Sequence, residues 1–416
     1  MNTPLYSKLQ SYSNVRFHMP GHNGKPFYGD EGLQMDITEI VGMDNLLAAS
    51  GVIKEAEDLI AKAYNFKHSL MLTQGSTTSM QMCVYLAKQR GLQIVSFNKM
   101  HSSFYNATRL FECGYIEVSD IEKLKDVLQK SAKQVAIFTT SPDYFGNIGS
   151  INELNELKGD NLLIVDAAHG AHFPFSSLLP KYPDGDIVFS SMHKTMPAKT
   201  SSAIINVNDD ALYEELVFIR TLIHSTSPSY LTMASIDLAR ADFEEHGEGY
   251  YSIIKNAIDS LNGEISGFTI EHSDDFSRLV ISKENMDGYD LLLQLHDMGI
   301  EAEMAYENKV VFILTPFNIS DLHRLKSVLL VVKPKTVDGY IKDEEHAHSE
   351  GVEGIATFVE INEAEGMYAN GDISIYPPSQ RIIKRGDKIT KEDINILNKH
   401  KGHILGLVNN KVPVLK

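Results

Sequence analysis

The strongest constraint on this chain is an alternation. Up to about residue 240, short apolar runs are separated by segments of helical periodicity. The runs Ser69–Leu72, Gln93–Phe97, Gln134–Thr139, Asn161–Val165, Ile187–Ser190 and Ala203–Asn206 are predicted strands. Between them, Ser76–Arg90, Tyr105–Glu112, Ile121–Ser131 and Asn152–Leu157 are predicted helices. Strands that alternate with helices build a mainly parallel sheet with helices on both faces, so the fold class is α/β. Ser235–Glu245 reads as a long helix leaving this layer, and Tyr250–Leu261 continues helical.

The pattern then changes. Phe276–Ile281 and Val310–Leu314 are predicted strands around the helix Gly288–Met298, with Leu322–Val331 as another helix. This predicts a smaller α+β unit. We place boundaries near residues 246 and 335, giving segments 1–246, 247–335 and 336–416. Asp343–Gly354 is acidic and polar and reads as a surface loop. Its His346 and His348 lack a third metal ligand at useful spacing, so no metal site is expected. Tyr376–Pro378 reads as a turn and Asp387–Leu397 as a short capped helix.

With 416 residues and a formal net charge of −17, the chain repels nucleic acid and anionic membrane at long range and mildly favours cationic small molecules. No apolar run is long enough to span a bilayer. The first residues lack the basic-then-apolar design of a leader. Cys83 and Cys113 form no metal or disulfide pattern, so a reducing cytoplasm is the expected compartment.

In open α/β sheets, ligands sit beyond the carboxyl ends of the strands, and four clusters lie there. Thr73-Gln74-Gly75-Ser76-Thr77-Thr78 follows the first strand and opens a helix. Such a turn offers N–H groups and hydroxyls to a phosphate, or simply caps the helix. Asn98-Lys99-Met100-His101 follows the second strand; His101 is an ordinary loop residue or an aromatic plate over a heterocycle. Asp166-Ala167-Ala168-His169 follows Asn161–Val165; the aspartate caps a loop or holds a cationic ring nitrogen. Ser191-Met192-His193-Lys194 follows Ile187–Ser190. Lys194 is a surface cation or, with its amine lowered by burial or a neighbour such as His193, a Schiff-base lysine. Together the clusters supply what pyridoxal 5′-phosphate needs: phosphate donors, a flat ring, a carboxylate for the pyridine nitrogen and a lysine for the aldehyde.

The sequence then resembles a known family. The markers are His18-Met19-Pro20-Gly21-His22, Asp36-Ile37-Thr38-Glu39 with Gly42-Met43-Asp44, Gln74-Gly75-Ser76-Thr77 and Ser141-Pro142-Asp143-Tyr144-Phe145-Gly146. Further markers are Val165–Phe173, Ser191-Met192-His193-Lys194-Thr195, Ser225-Thr226-Ser227-Pro228-Ser229-Tyr230 and Tyr376-Pro377-Pro378. In these residues the chain resembles the short form of the bacterial ornithine/lysine/arginine decarboxylases, without the extra N-terminal domain of the long forms. The resemblance implies the aspartate-aminotransferase-like fold (fold type I), pyridoxal 5′-phosphate, and decarboxylation of lysine, arginine or ornithine to an amine and CO₂. It implies that Lys194 holds the cofactor aldehyde and Asp166 the pyridine nitrogen. Ala168 would pack on the ring and His101 stack on the opposite face. Gly75, Ser76, Thr77, Ser191 and His193 would bind phosphate, and His169 would lie near the phenolic oxygen. Lys194 and His101 are candidate acids for returning a proton to Cα. Ser225–Tyr230 would approach the neighbouring subunit's cofactor, which implies a homodimer with shared sites.

The substrate's outer cation needs an acid; candidates are Glu39, Asp44, Glu360, Glu363 and Glu365. The chain departs from the family at Ala167 (usually Glu), at Ser102 (usually Lys), at Leu46-Leu47 (usually Leu-His) and at Ser379-Gln380-Arg381 (usually Gly-Ile-Pro), the last two expected near the substrate. Two other readings stand beside decarboxylation. One is transamination or elimination on another amino acid, since one fold hosts many chemistries. The other is a non-catalytic cofactor-binding paralogue.

Overall fold

The computed structural model describes residues 1–13, 25, 31–261, 264–265, 267–337, 356–375 and 380–415. The His18–His22 motif, the Asp343–Gly354 loop with His346 and His348, Tyr376–Pro378 and Ser379 lie outside the described residues.

Seven strands form the central sheet: β1 (His68–Leu72), β2 (Gln93–Phe97), β3 (Tyr115–Val118), β4 (Val135–Thr140), β5 (Leu162–Asp166), β6 (Ile187–Ser191) and β7 (Ala203–Val207). Their order is β1-β7-β6-β5-β4-β2-β3. β3, β2, β4, β5 and β6 pair in parallel, while β7 runs antiparallel to both β6 and β1. The six predicted strands are all present. Every residue of β5, β6 and β7 is buried, as expected for strands covered on both faces. β3 escapes the sequence reading because it is a four-residue edge strand with Val118 alone buried. It has no continuous apolar run to detect.

Helices α1 (Pro4–Gln10), α2 (Val52–Tyr64), α3 (Gly75–Gln89), α4 (Ser102–Leu110), α5 (Ile121–Lys130), α6 (Ile151–Leu157), α7 (Met192–Thr195) and α8 (Asp210–Ile223) belong to this layer. Leu5 and Leu9 of α1 are fully buried. The arm is tied down by Asp237 Oδ2, which accepts from Leu5 N at 3.1 Å and Tyr6 N at 3.3 Å. The two helical stretches expected around residue 246 are one 32-residue helix, α9 (Tyr230–Leu261), so the boundary placed there falls inside a helix. The reading broke at Gly247 and Gly249, which normally weaken a helix. Gly247 is used for close approach instead: a Cβ there would stand 2.4 Å from the carbonyl oxygen of Phe175.

The second unit is an antiparallel sheet of β8 (Thr269–Ile270), β9 (Arg278–Ser282), β10 (Met304–Tyr306) and β11 (Lys309–Ile313), in the order β10-β11-β9-β8. Helices α10 (Gly288–Asp297) and α11 (Leu322–Leu329) accompany it. The last segment carries β12 (Ala356–Glu360), β13 (Ile373–Ile375), β14 (Gln380–Ile383), α12 (Lys391–Lys399), β15 (Ile404–Leu405) and β16 (Lys411–Leu415). It has a small core of its own around Ile373, Ile389, Leu397 and Val412. α12 starts later than expected because Thr390 and Asp393 form its capping box, while Asp387 closes the preceding turn on Lys384 N.

Candidate active site

β5 and β6 are adjacent and parallel, with Asp166 paired to Phe189. The chain leaves β6 through the short turn α7, which carries Lys194. Neighbouring parallel strands lie ~4.8 Å apart, so two residues distant in sequence arrive at one sheet end. There a cavity of about 240 Å³ is lined by Ser76, His101, Asp166, Ala168, His169 and Lys194. The second unit contributes Met304 and Tyr306, and the last segment contributes Asp372, Ser374 and Arg381.

Each of these side chains is fixed locally. Asp166 is buried at the end of β5 and accepts from Ala168 N at 3.0 Å. Burial pushes its carboxyl up to about 6, and the nearby Lys194 amine offsets part of that rise. Lys194 Nζ is 3.0 Å from His169 Nε2. Burial lowers the Lys194 amine below its ordinary value, opposed by Asp166 and aided by Arg278. The ring beside its amine is His169 rather than His193, the neighbour the sequence suggested.

His101 is the N-cap of α4. Its Nδ1 accepts from Ser103 N at 3.1 Å and lies 2.8 Å from Ser103 Oγ. Burial, with Lys194 adding a smaller effect, brings His101 down to about 4, so the ring is neutral at pH 7. Ser102, where the family carries Lys, begins α4 and reaches the cavity wall.

The glycine–serine turn lies beside this set. Gly75 adopts a φ of +78°, which favours glycine, and donates its N–H to Ser201 O at 2.7 Å. That geometry starts α3 with the Ser76 hydroxyl at the cavity, where it accepts from Ser191 Oγ at 2.7 Å. Thr77 is exposed in the first turn of α3. The N-terminus of a 15-residue helix directs free N–H groups at this point. His193 is half-buried, with Nδ1 3.1 Å from Ser202 O. A carbonyl accepts, so Nδ1 carries the proton and Nε2 donates only when the ring is charged.

The candidate substrate acids sit elsewhere. Asp44 is engaged by backbone: its carboxylate accepts from the N–H groups of Asn45, Ser50, Gly51 and Ile53 at 2.8–3.0 Å. Those bonds hold it below its ordinary value against the effect of burial. It organises the entry to α2. Glu39, Glu360, Glu363 and Glu365 are exposed and line no part of the cavity. The carboxylates that do line it, besides Asp166, are Asp143 and Asp372. Asp143 is turned inward on its own loop, accepting from Phe145 N and Asn147 N.

The sequence reading gave no role to two arginines. Arg278, the first residue of β9, is buried and donates from Nη2 to His169 Nδ1 at 2.9 Å and to His169 O at 3.3 Å. An arginine heading an apolar run shortly after the acidic pair Asp274-Asp275 was a visible signal. Arg381 lines the cavity from β14, 3.7 Å from both Glu117 and Asp372. It stands in the Ser379-Gln380-Arg381 departure, which the sequence reading set near the substrate without giving the arginine a role. Ser225–Tyr230 links α8 to α9 and ends on the first residue of α9, with Ser225 N donating to Gln74 Oε1 at 3.1 Å at the start of α3.

Comparison with known proteins adds to this geometry. Residues 3–277 match the family model described as Orn/Lys/Arg decarboxylase, major domain. The chain is 28% identical over 466 residues to Uncharacterized protein YaaO of Bacillus subtilis (strain 168), covering 98% of this chain and 96% of that protein. It is 26% identical over 460 residues to the arginine decarboxylase of the same organism, covering 96% and 93%. The crystal structure of the Francisella novicida lysine decarboxylase LdcF superposes with a TM-score of 0.77 at 17% identity, over 100% of this chain and 81% of that one.

Proposed function

The chain belongs to the Orn/Lys/Arg decarboxylase family and is an amino-acid decarboxylase; we propose that it removes the α-carboxylate of lysine, arginine or ornithine as CO₂, with pyridoxal 5′-phosphate as its cofactor. The large domain has the α/β fold of pyridoxal-phosphate enzymes of fold type I. The observation that carries the reading is the meeting of Lys194 and Asp166 in one cavity.

The residues present fit the cofactor. Asp166 is a buried carboxylate raised by burial, which a ring N–H⁺ would satisfy. Ser76, Ser191 and the start of α3 form a donor set for phosphate. His101 would cover one ring face, and the small Ala168 side chain leaves room on the other. When bound, the cofactor supplies an aldehyde that joins to an amine and a cationic ring that takes up the electrons released with CO₂.

The chain's own residues do the rest. Lys194 offers its amine, and its ammonium form is the candidate donor of a proton to the substrate's Cα. Asp166 keeps a proton at the ring nitrogen. His101, neutral and held by Ser103, shields the reacting face from water. Met304 and Tyr306 from the second unit, with Asp372, Ser374 and Arg381 from the last segment, close the cavity away from the sheet.

We also propose that the protein works as a homodimer. Phe218 and Leu222 are exposed on α8, just before Ser225–Tyr230, and a second copy would cover them. The proposed compartment is the cytoplasm; Cys83 and Cys113 are free thiols, and among the described residues no helix is long and apolar enough to cross a membrane.

The test is direct. Purified protein is supplied with the cofactor and each basic amino acid in turn, and CO₂ and amine are measured. One of the three is expected to give both products in equal amounts. No product from any of them refutes the reading, and a keto acid in place of CO₂ points to transamination. Borohydride fixation should place the cofactor on the peptide containing Lys194, and Lys194→Ala should abolish that adduct while the protein stays folded.

A further inference from the structure

The Lys194 amine faces a hydrogen-bond chain whose direction is set from its far end. Arginine has five N–H donors and no acceptor. Because Arg278 Nη2 lies 2.9 Å from His169 Nδ1, Nδ1 must be the accepting, unprotonated nitrogen of that ring. The ring proton then sits on Nε2, 3.0 Å from Lys194 Nζ. An ammonium there would set donor against donor. Only an amine with a free lone pair completes the chain.

We propose that Arg278 is a positioning residue for Lys194: by donating to His169 Nδ1 it fixes the tautomer whose Nε2–H is given to the lysine, and so holds that amine neutral and nucleophilic. The inference deepens the proposed function and rests on Lys194 being the amine that joins the cofactor. It also gives the second unit, which carries Arg278 on β9, a hand in the chemistry at the end of β6.

The surroundings of Arg278 support a purpose beyond packing. Its side chain is 1% exposed, and Nε stands 3.8 Å from Asp275 Oδ2, beyond hydrogen-bonding distance. Asp275 is engaged by other groups: Oδ1 accepts from Ser277 N and Oγ, and Oδ2 lies 3.1 Å from His172 Nε2. Among the described residues, Nε and Nη1 of Arg278 have no hydrogen-bond partner. Burying a guanidinium with orphaned N–H groups is costly, and the bonds it does make go to His169. Gly146 backs it, since a Cβ there would stand 2.9 Å from Arg278 Cγ.

The charged and titratable groups around the amine come from several elements. Asp166 at the end of β5 and Glu303 before β10 favour the ammonium, while Arg278 opposes it. His101 and His193 also feel its charge. His169 is pushed well below its usual value by burial, then by Lys194, Arg278, His101 and His172, so it stays neutral across the working range.

Two measurements on cofactor-free full-length protein test the proposal. The first is the ¹⁵N spectrum of histidine-labelled wild type, which needs no variant to fold. A neutral His169 protonated on Nε2 is expected; protonation on Nδ1 overturns the proposal. The second is competitive acetylation of Lys194 against the surface lysines across pH, read by mass spectrometry. Lys194 should react as an amine titrating below the others. Arg278→Gln should raise its midpoint by about one pH unit, a tenfold fall in free amine, and Arg278→Lys should restore it. His169→Gln keeps the arginine charge but breaks the chain, and should give a similar rise. An unchanged midpoint in both Gln variants would assign Arg278 a purely structural role. Failure of the cofactor to attach at Lys194 would defeat the proposed function while leaving these two results standing.

Discussion

The guanidinium of Arg381 lies over the ring of Tyr105, its central carbon 4.1 Å from the ring centroid. Tyr105 donates its phenol to Glu117 Oε2 at 2.6 Å and accepts from Met100 N at 3.1 Å. The stack therefore fastens β14 to α4, the helix that His101 caps. A desolvated cation–π contact is worth about 2 kcal/mol. Arg381→Ala should loosen the last segment, raise KM roughly tenfold and speed proteolysis within residues 380–415. Arg381→Lys should recover little, because an ammonium cannot lie flat on a ring. Unchanged KM and unchanged cleavage in the alanine variant would mean that the stack does not dock the segment.

Asp166 should show function in conflict with stability. Its folded pKa, about 6, lies above the ordinary carboxylate value of 3.8, so the folded state holds its proton more tightly than the unfolded state does. Stability is therefore lost as pH rises from about 4 to 6, and the full cost applies above that window. The difference corresponds to at most about 3 kcal/mol, since each unit is worth about 1.4 kcal/mol. Asp166→Asn should raise Tm of the cofactor-free protein at pH 8, with the gain shrinking towards pH 4. The same substitution should cut turnover by orders of magnitude, because a neutral amide does not keep a ring nitrogen protonated. A Tm gain that is constant across pH would show that the carboxylate is not strained by burial.

Much of this arrangement was legible in the sequence. The six runs of the central sheet could be read because each is apolar over four or more residues, and the residues that follow them carry the chemistry. Asp166, Lys194, His101 and Ser76 could be assigned to one sheet end from position alone, and the family resemblance supplied their roles. β3 was hidden by its half-exposed edge position, and β8 and β10 by their length of two and three residues. The substrate acids were the weakest reading. Asp44 looked free in the sequence because nothing there reveals that backbone N–H groups will surround it. Arg278 left a local signal, an arginine heading an apolar run, but its role depends on the second unit closing against the first, a long-range contact that no local pattern encodes.

His101 makes the opposite pH statement. Burial lowers it to about 4 from 6.5, so its contribution is fully present above 6.5 and is lost as pH falls towards 4, where the ring must charge. The loss is at most about 3 kcal/mol, less whatever solvent reaches the half-buried ring. His101→Gln keeps an acceptor for Ser103 N and cannot charge. In the cofactor-free protein, the wild type should lose more unfolding free energy than this variant between pH 7 and pH 5, measured by urea titration. Parallel curves for the two proteins would rule out a ring held neutral at this position.

The long helix α9 offers a paired test of why the sequence reading broke there. Gly247 and Gly249 are two residues apart in the same helix, and both should cost helical stability relative to alanine. Their surroundings differ. A Cβ at Gly247 would meet Phe175 O at 2.4 Å and Phe175 Cβ at 2.8 Å, whereas a Cβ at Gly249 would meet nothing within 4 Å. Gly249→Ala should therefore stabilise the protein by about 0.5–1 kcal/mol, the ordinary helix preference. Gly247→Ala should destabilise it by about 1–3 kcal/mol, because backbone and a buried ring must move to admit one methyl group. Phe175 shares a short helical turn with Phe173, next to His172, so the shift should also reach His172 and its pairing with Asp275. Equal effects of the two substitutions on Tm would show that the close approach at Gly247 does not exist in solution.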